Sequence, residues 1–349
     1  MVGAGNIART HLDAYKKVKN AEVVAICDIN PDRLVEAADS FGIANRYDSV
    51  EAMLAAEKDL DAADVCVWNC SHAACTIAAL EAGLNVLCEK PMAYNASEAE
   101  EMLACAKKMG KLLMIGFVTR YDVETLVVKD YIEAGYVGEI YYAKAQYVRR
   151  HGNPGGWFSD KARSGGGTVI DLGVHVIDRA RYLMGRPKPV SVYAATFDRL
   201  GRRDHLKTNV SWRPRDASGA DVCDVEDAGT ALVRFDNGSV IHLETAYSLN
   251  GAPVSGLDLY GEKGGFRTGT ADGLTLFTET NGYLTDMKIS TKNMKNVEPA
   301  MFVAEMQAFT DAVERGDVST DSAEDGIAVM KILDAIYRSA ETGHEVVID

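Results

Sequence analysis

Four short apolar runs, 22–28 (EVVAICD), 64–69 (DVCVWN), 85–90 (NVLCEK) and 111–117 (KLLMIGF), are each separated from the next by a helical pattern. A run of this length bounded by turn signals reads as a buried strand. Strands that alternate with helices need crossover connections, which leave neighbouring strands parallel. The intervening helices carry their own end signals: Pro31 at a start, Ser97 with Glu100 as a capping box, and Gly83 and Gly110 at stops. With right-handed crossovers, these segments predict a doubly wound parallel sheet to about residue 118.

Beyond 118 the pattern changes. A helix near 123–134 leads to a long strand at 139–149 (EIYYAKAQYVR), a Gly-rich loop, a helix at 168–184, and then several strands in succession. Such a run predicts an open, largely antiparallel sheet. Asp236-Asn237-Gly238-Ser239 separates GTALVRF from VIHLETAYS and predicts a hairpin over 229–248, and Gly261-Glu262-Lys263-Gly264-Gly265 predicts a second turn. Helices near 302–315 and 322–342 close the chain and are expected to pack back on the body. The expected organisation is an α/β chain with one domain at 1–118 and a second at 119–349. At 349 residues and 47% hydrophobic content, it can bury two separate cores.

A formal net charge of -14 without a Lys/Arg run disfavours nucleic acid and anionic membranes as partners and points to a small molecule. No apolar stretch approaches the roughly 20 residues of a membrane helix, and no signal core follows a basic start, so the cytoplasm is the expected location. The seven cysteines lack CxxC spacing and fall mostly in predicted strands and helices, so they read as reduced, buried residues. No metal site is expected.

Gly3-Ala4-Gly5-Asn6-Ile7-Ala8 fits the G-x-G-x-x-A turn of a Rossmann domain. Its first glycine makes the turn, its second admits a pyrophosphate to a helix N-terminus, and its small third residue permits close helix–strand packing. Gly3, Gly5, Asn6 and Ile7 are the expected cofactor contacts here. Asp28 ends the next strand, 20 residues after Ala8. A carboxylate there accepts from the adenosine ribose hydroxyls and repels a 2′-phosphate, which favours NAD; the nearby Arg33 keeps NADP as the less favoured alternative. Only Met1 and Val2 precede Gly3, so natural residues are expected before Met1.

Glu89-Lys90-Pro91 ends the strand NVLCEK, at the sheet edge where ligands bind in open α/β folds. A lysine placed there can stabilise a developing alkoxide. In Gly165-Gly166-Gly167-Thr168-Val169-Ile170-Asp171-Leu172-Gly173-Val174-His175-Val176-Ile177-Asp178, a uniform helix from 168 sets Asp171, His175 and Asp178 on one face. A histidine beside a carboxylate can serve as general base. Read alone, the same pattern is equally a surface helix with an incidental His–Asp pair. Trp157 could cover a sugar face or sit in the core.

GAGNIA, VLCEKP and GGGTVIDLGVH together resemble the Gfo/Idh/MocA family, which includes glucose-fructose oxidoreductase and inositol dehydrogenase, over nearly the whole chain. The resemblance implies Lys90, Asp171 and His175 as the catalytic group and a cis Lys90–Pro91 peptide. It also implies substrate contacts at Arg120, His151 and Asp178, and cofactor contacts at Asn69, Ser71 and His72, with Glu89 and Lys90 beside them; His72 could instead simply start a helix. The implied activity is hydride transfer between a secondary hydroxyl of a sugar, glycoside or inositol and NAD. Glycoside 3-oxidation or redox glycosidase chemistry is the near alternative, and a non-catalytic dinucleotide sensor the distant one. A homo-oligomer, dimer or tetramer, is expected, because the helices at 123–134 and 168–184 are too few to cover both faces of the second sheet.

Overall fold

A computed structural model describes residues 1–207, 213–218, 221–270, 273–291, 300–319 and 321–349. The chain forms two compact units, Met1–Tyr121 with Glu298–Met330, and Asp122–Val297 with Lys331–Asp349.

The first unit runs α1 (Asn6–Tyr15), β1 (Ala25–Cys27), α2 (Pro31–Phe41), β2 (Asn45–Tyr47), α3 (Val50–Ala56), β3 (Ala62–Val65), α4 (His72–Glu81), β4 (Asn85–Glu89), α5 (Ala96–Met109) and β5 (Leu113–Gly116). β2 pairs with β1, and β3, β4 and β5 pair in that order, all in parallel. Residues 1–3 run between the two groups, with Val2 bridged to both Cys27 and Val65. β2 is exposed or half-buried and polar, so no apolar run announced it. Pro31 opens α2 as expected, with Asn30 accepting from the Arg33 N–H. The capping box of α5 sits two residues earlier than expected: Asn95 accepts from the Glu98 N–H, and the Glu98 carboxylate accepts from the Tyr94 N–H.

The second unit holds α6 (Val123–Glu133), β6 (Ile140–Val148), α7 (Lys161–Ser164), a π-helical segment Val169–Gly173 and α8 (Val174–Leu183). Then come β7 (Pro189–Phe197), β8 (Ala228–Phe235), β9 (Val240–Ala246), β10 (Val254–Gly261), β11 (Gly264–Arg267), β12 (Leu274–Thr280) and β13 (Tyr283–Ile289). After α9 (Met301–Glu314) and α10 (Asp321–Thr342), β14 (Val346–Val347) ends the chain. Among the described residues the sheet has nine strands in the order β13-β12-β11-β10-β6-β9-β8-β7-β14. Only β6–β9 is a parallel pair within it. Both expected turns are present, with Gly238 in the left-handed region at φ 84.

α9 does not belong with the second domain, as the expected 119–349 boundary had it. Its Val303, Met306 and Phe309 share one apolar cluster with Ala8, Leu12, Ile26 and Leu87 of the first unit. Each large side chain buried there stabilises by about 1.5–3 kcal/mol, enough to tie a helix distant in sequence to this core.

One face of the large sheet buries Ala143, Ala145, Ala231, Val233, Ile241 and Leu243, with α8 packed against β6, β9 and β10. The register lines Tyr193, Leu232, His242, Lys144 and Asp258 along the other face. Tyr193 and Leu232 are 55% and 48% exposed. Among the described residues no helix is long and apolar enough to cross a membrane.

Candidate active site

In the first unit, Gly3 takes φ +99, and a Cβ on it would lie 2.2 Å from the Cys66 carbonyl oxygen, so the turn requires glycine. A Cβ on Gly5 would meet nothing within 4 Å. The start of α1 has no side-chain cap and no acidic residue in its first turn, so its N–H groups and dipole are available to an anion. Asp28 accepts from the Ala4 and Asn30 N–H groups, each at 2.7 Å, one on each carboxylate oxygen. Each oxygen keeps a second lone pair for a ribose hydroxyl. These residues fit a dinucleotide. Arg33 is half-buried on the first turn of α2, and Asn69 and Ser71 form a tight 3₁₀ turn after β3, Asn69 buried and Ser71 half-buried.

Two of the expected cofactor contacts turn inward instead. His72 is 1% exposed at the start of α4, with Nδ1 2.7 Å from the Pro91 carbonyl and Nε2 3.2 Å from that of Val67. Burial lowers its pKa, so the ring is neutral, and the shorter contact takes the single N–H. It holds the backbone just after Lys90 through the Pro91 carbonyl. Glu89 is also buried: its Oε1 accepts from His11 Nε2 at 2.9 Å, and its Oε2 accepts the Lys90 N–H at 2.9 Å. Glu89 thus holds the Lys90 N–H and His72 the Pro91 carbonyl, and the Lys90–Pro91 peptide is cis, as the resemblance implied.

His11 itself was missed. Its signal was a polar residue on the buried stripe Ala8, His11, Leu12, Tyr15 of α1. Its Nδ1 donates to Asp64 Oδ2 at 2.9 Å. His11, Asp64 and Cys66 lie close enough to surround an ion. Their atoms are bonded to one another, and burial pushes the Cys66 thiol up, so it stays protonated. Arg120, expected at the substrate, donates to Asp325 at 2.9 Å, with side chains only 11% and 4% exposed. Its guanidinium stacks over Phe117.

In the second unit the helix that bears Asp171 and His175 is not uniform. Val169–Gly173 is π-helical and α8 follows. A π turn inserts extra residue length and shifts the phase of the helix beyond it. Asp171 and His175 are half-buried, whereas Asp178 is 1% exposed, so the three do not share an open face as the uniform helix predicted. Tyr247, fully buried at the end of β9, donates to Asp171 Oδ2 at 2.8 Å, and burial raises its phenol well above the usual range.

Arg149 donates to the Tyr147 hydroxyl at 2.6 Å and stacks on that ring. Burial disfavours its charge, but Tyr147 and Asp171 outweigh that and raise its pKa. The Tyr147 and His175 rings are 6.5 Å apart. Tyr147, Arg149 and Tyr247 escaped the sequence reading; their only signal was a polar or aromatic residue at a strand end. His151 is exposed, and Trp157 is half-buried against Phe158.

Residues 1–117 match an oxidoreductase family with an NAD-binding Rossmann fold, and residues 129–348 match that family's C-terminal alpha/beta domain. D-glucoside 3-dehydrogenase of Escherichia coli K12 is 33% identical over 350 residues, covering 99% of this chain and 96% of that protein. Levoglucosan dehydrogenase of Pseudarthrobacter phenanthrenivorans is 28% identical over 276 residues, covering 72% of this chain and 67% of that one. A solved structure of levoglucosan dehydrogenase with NADH and levoglucosan superposes with a TM-score of 0.82 at 25% identity, covering 99% of this chain and 98% of that one. The matches span both units, and the chain belongs to the Gfo/Idh/MocA family of oxidoreductases.

Proposed function

We propose that the protein is an NAD-dependent dehydrogenase that oxidises a secondary ring hydroxyl of a D-glucoside or related glycoside, at C3. The observation that carries the reading is the Tyr247–Asp171 hydrogen bond. It pins a carboxylate four residues before His175, and such a carboxylate orients and supports an imidazole base. His175 takes the hydroxyl proton. Lys90, a donor when charged, stabilises the alkoxide as it forms. When bound, NAD accepts the hydride; the start of α1 and Asp28 would hold its pyrophosphate and ribose. Likeness to D-glucoside 3-dehydrogenase across 99% of the chain supports a glycoside over inositol. The test is NADH formation with methyl D-glucoside and identification of the keto product; turnover of inositol alone would overturn the substrate assignment.

Asp28→Ser is expected to remove the ribose acceptor and the repulsion of a 2′-phosphate, so the preference for NAD over NADP should shrink. Because Asp28 also accepts the Ala4 N–H, NAD affinity should fall in the same variant. The ratio of kcat/KM for the two cofactors reports the first effect, and an unchanged ratio shows that Asp28 does not touch the ribose.

The exposed row through Tyr193 and Leu232 supports assembly as a homo-oligomer, a dimer or tetramer, over that sheet face. Light scattering at micromolar concentration should give at least twice the mass of one chain. Free thiols at all seven cysteines accord with a reducing, cytoplasmic setting.

A further inference from the structure

The glycines before the Asp171 helix are dictated by packing. A Cβ on Gly166 would lie 2.0 Å from the Tyr337 hydroxyl, and one on Gly167 would lie 2.0 Å from the Glu226 carbonyl oxygen. The same two residues grip the loop through hydrogen bonds. Glu226 Oε2 accepts the Gly167 N–H and Oε1 the Val169 N–H, both at 2.9 Å, and Tyr337 donates to Oε1 at 3.0 Å. Asp171 is two residues beyond Val169, and its own N–H bonds to the Gly167 carbonyl at 3.0 Å. One carboxylate therefore binds the N–H groups on either side of Thr168, where the helix begins, and a tyrosine of α10 fixes that carboxylate.

We propose that Glu226 is a positioning residue for Asp171 and His175, and that Tyr337 acts through it. The proposal rests on the assignment of His175 as base. An ordinary cap satisfies one or two N–H groups at the end of an element. Here the cap grips the backbone that enters the π-helical segment, where the phase of the next residues is decided. Releasing either contact lets that segment rotate, and a displacement near 1 Å at a reacting group can cost roughly 10²-fold in rate.

Glu226→Gln keeps the side-chain shape but presents an NH₂ to one of the two N–H donors, which breaks one contact. It is expected to lower kcat for methyl D-glucoside about 10-fold, with KM and NAD affinity within about twofold. Tyr337→Phe should cost about threefold, and the double variant should be no slower than Glu226→Gln, because both act through one carboxylate.

Independently of turnover, the His175 ring signal in protein labelled with ¹³C-histidine should move in Glu226→Gln, while those of His205 and His344 stay in place. A lowered melting temperature with kcat and the His175 signal both unchanged overturns the proposal and leaves Glu226 a simple cap. Should Glu226→Gln fail to fold, Tyr337→Phe carries the same two readouts and decides the question in the same way. His175→Ala run in parallel separates the two ideas. If it stays active, the base assignment has failed; if it is inactive while Glu226→Gln matches wild type in both readouts, only the positioning role has failed.

Discussion

His175→Ala is expected to lower kcat by about 10²- to 10⁴-fold, the range a positioned general base contributes, while NAD binding persists. Alcohol oxidation requires a proton to leave oxygen as hydride leaves carbon. Among the residue types proposed for the site, histidine is the one whose ordinary pKa, about 6.5, suits a base at neutral pH. Asp171 is held in place as the acceptor of the Tyr247 hydroxyl. Lys90→Ala should also lower kcat. The two losses should be non-additive, because a base and an alkoxide stabiliser serve one step. Steady-state rates across pH, with NAD affinity measured separately, check this. A His175→Ala enzyme with near-normal kcat would move the proton acceptor elsewhere, to neutral Lys90 first.

A second large effect lies in the buried polar cluster of the first unit. His11→Ala is expected to destabilise that unit by about 3–5 kcal/mol, the usual cost of removing one partner of a buried ion pair. Against a whole-domain stability of about 5–15 kcal/mol, such a loss is severe. His11 is 0% exposed and lies 2.9 Å from both Asp64 and Glu89. Both ring nitrogens face carboxylates, so both carry protons. Burial, the largest influence, favours the neutral ring, but the Asp64 carboxylate and the hydrogen bonds to Asp64 and Cys66 outweigh it and raise its pKa well above 6.5. Glu305, also fully buried, is pushed well up by burial and by the nearby Glu89. Without His11, the buried Asp64 and Glu89 carboxyls would both lose the side chain that bridges them.

The pH dependence of this cluster has a definite sign. The raised His11 pKa contributes stability that is complete below 6.5 and is lost as pH rises through its folded value. Asp64 is lowered, despite the opposing and largest effect of burial, chiefly by His11; its contribution is complete above 3.8 and is lost as pH falls through its folded value. Both act fully between those limits. The melting-temperature gap between wild type and His11→Ala should therefore be widest near pH 5–6, on the order of 10 °C, and should narrow in alkali. Equal melting temperatures at pH 5.5 would show that the pair contributes nothing net. Because Glu89 also accepts the Lys90 N–H, any folded His11→Ala protein should turn over more slowly as well.

Neighbouring residues were enough to specify the alternation of apolar runs and helices, the glycine turn at Gly3, the hairpin at Gly238 and the segments that carry Lys90, Asp171 and His175. All of these are local: a period of two or 3.6 residues, or a turn that needs φ > 0, is written in adjacent positions. Which polar side chains meet was set by packing instead. Glu89 lies 78 residues from His11, Tyr247 76 from Asp171 and Arg120 205 from Asp325. Pairs so distant in sequence leave no periodic trace, so Glu89, His72 and Arg120 read as ligand contacts until the packing turned them inward. The π-helical segment was hidden for a related reason. Its apolar spacing is compatible with an ordinary helix, and the register is set by the group that grips its first N–H groups, a carboxylate 57 and 59 residues further along the chain.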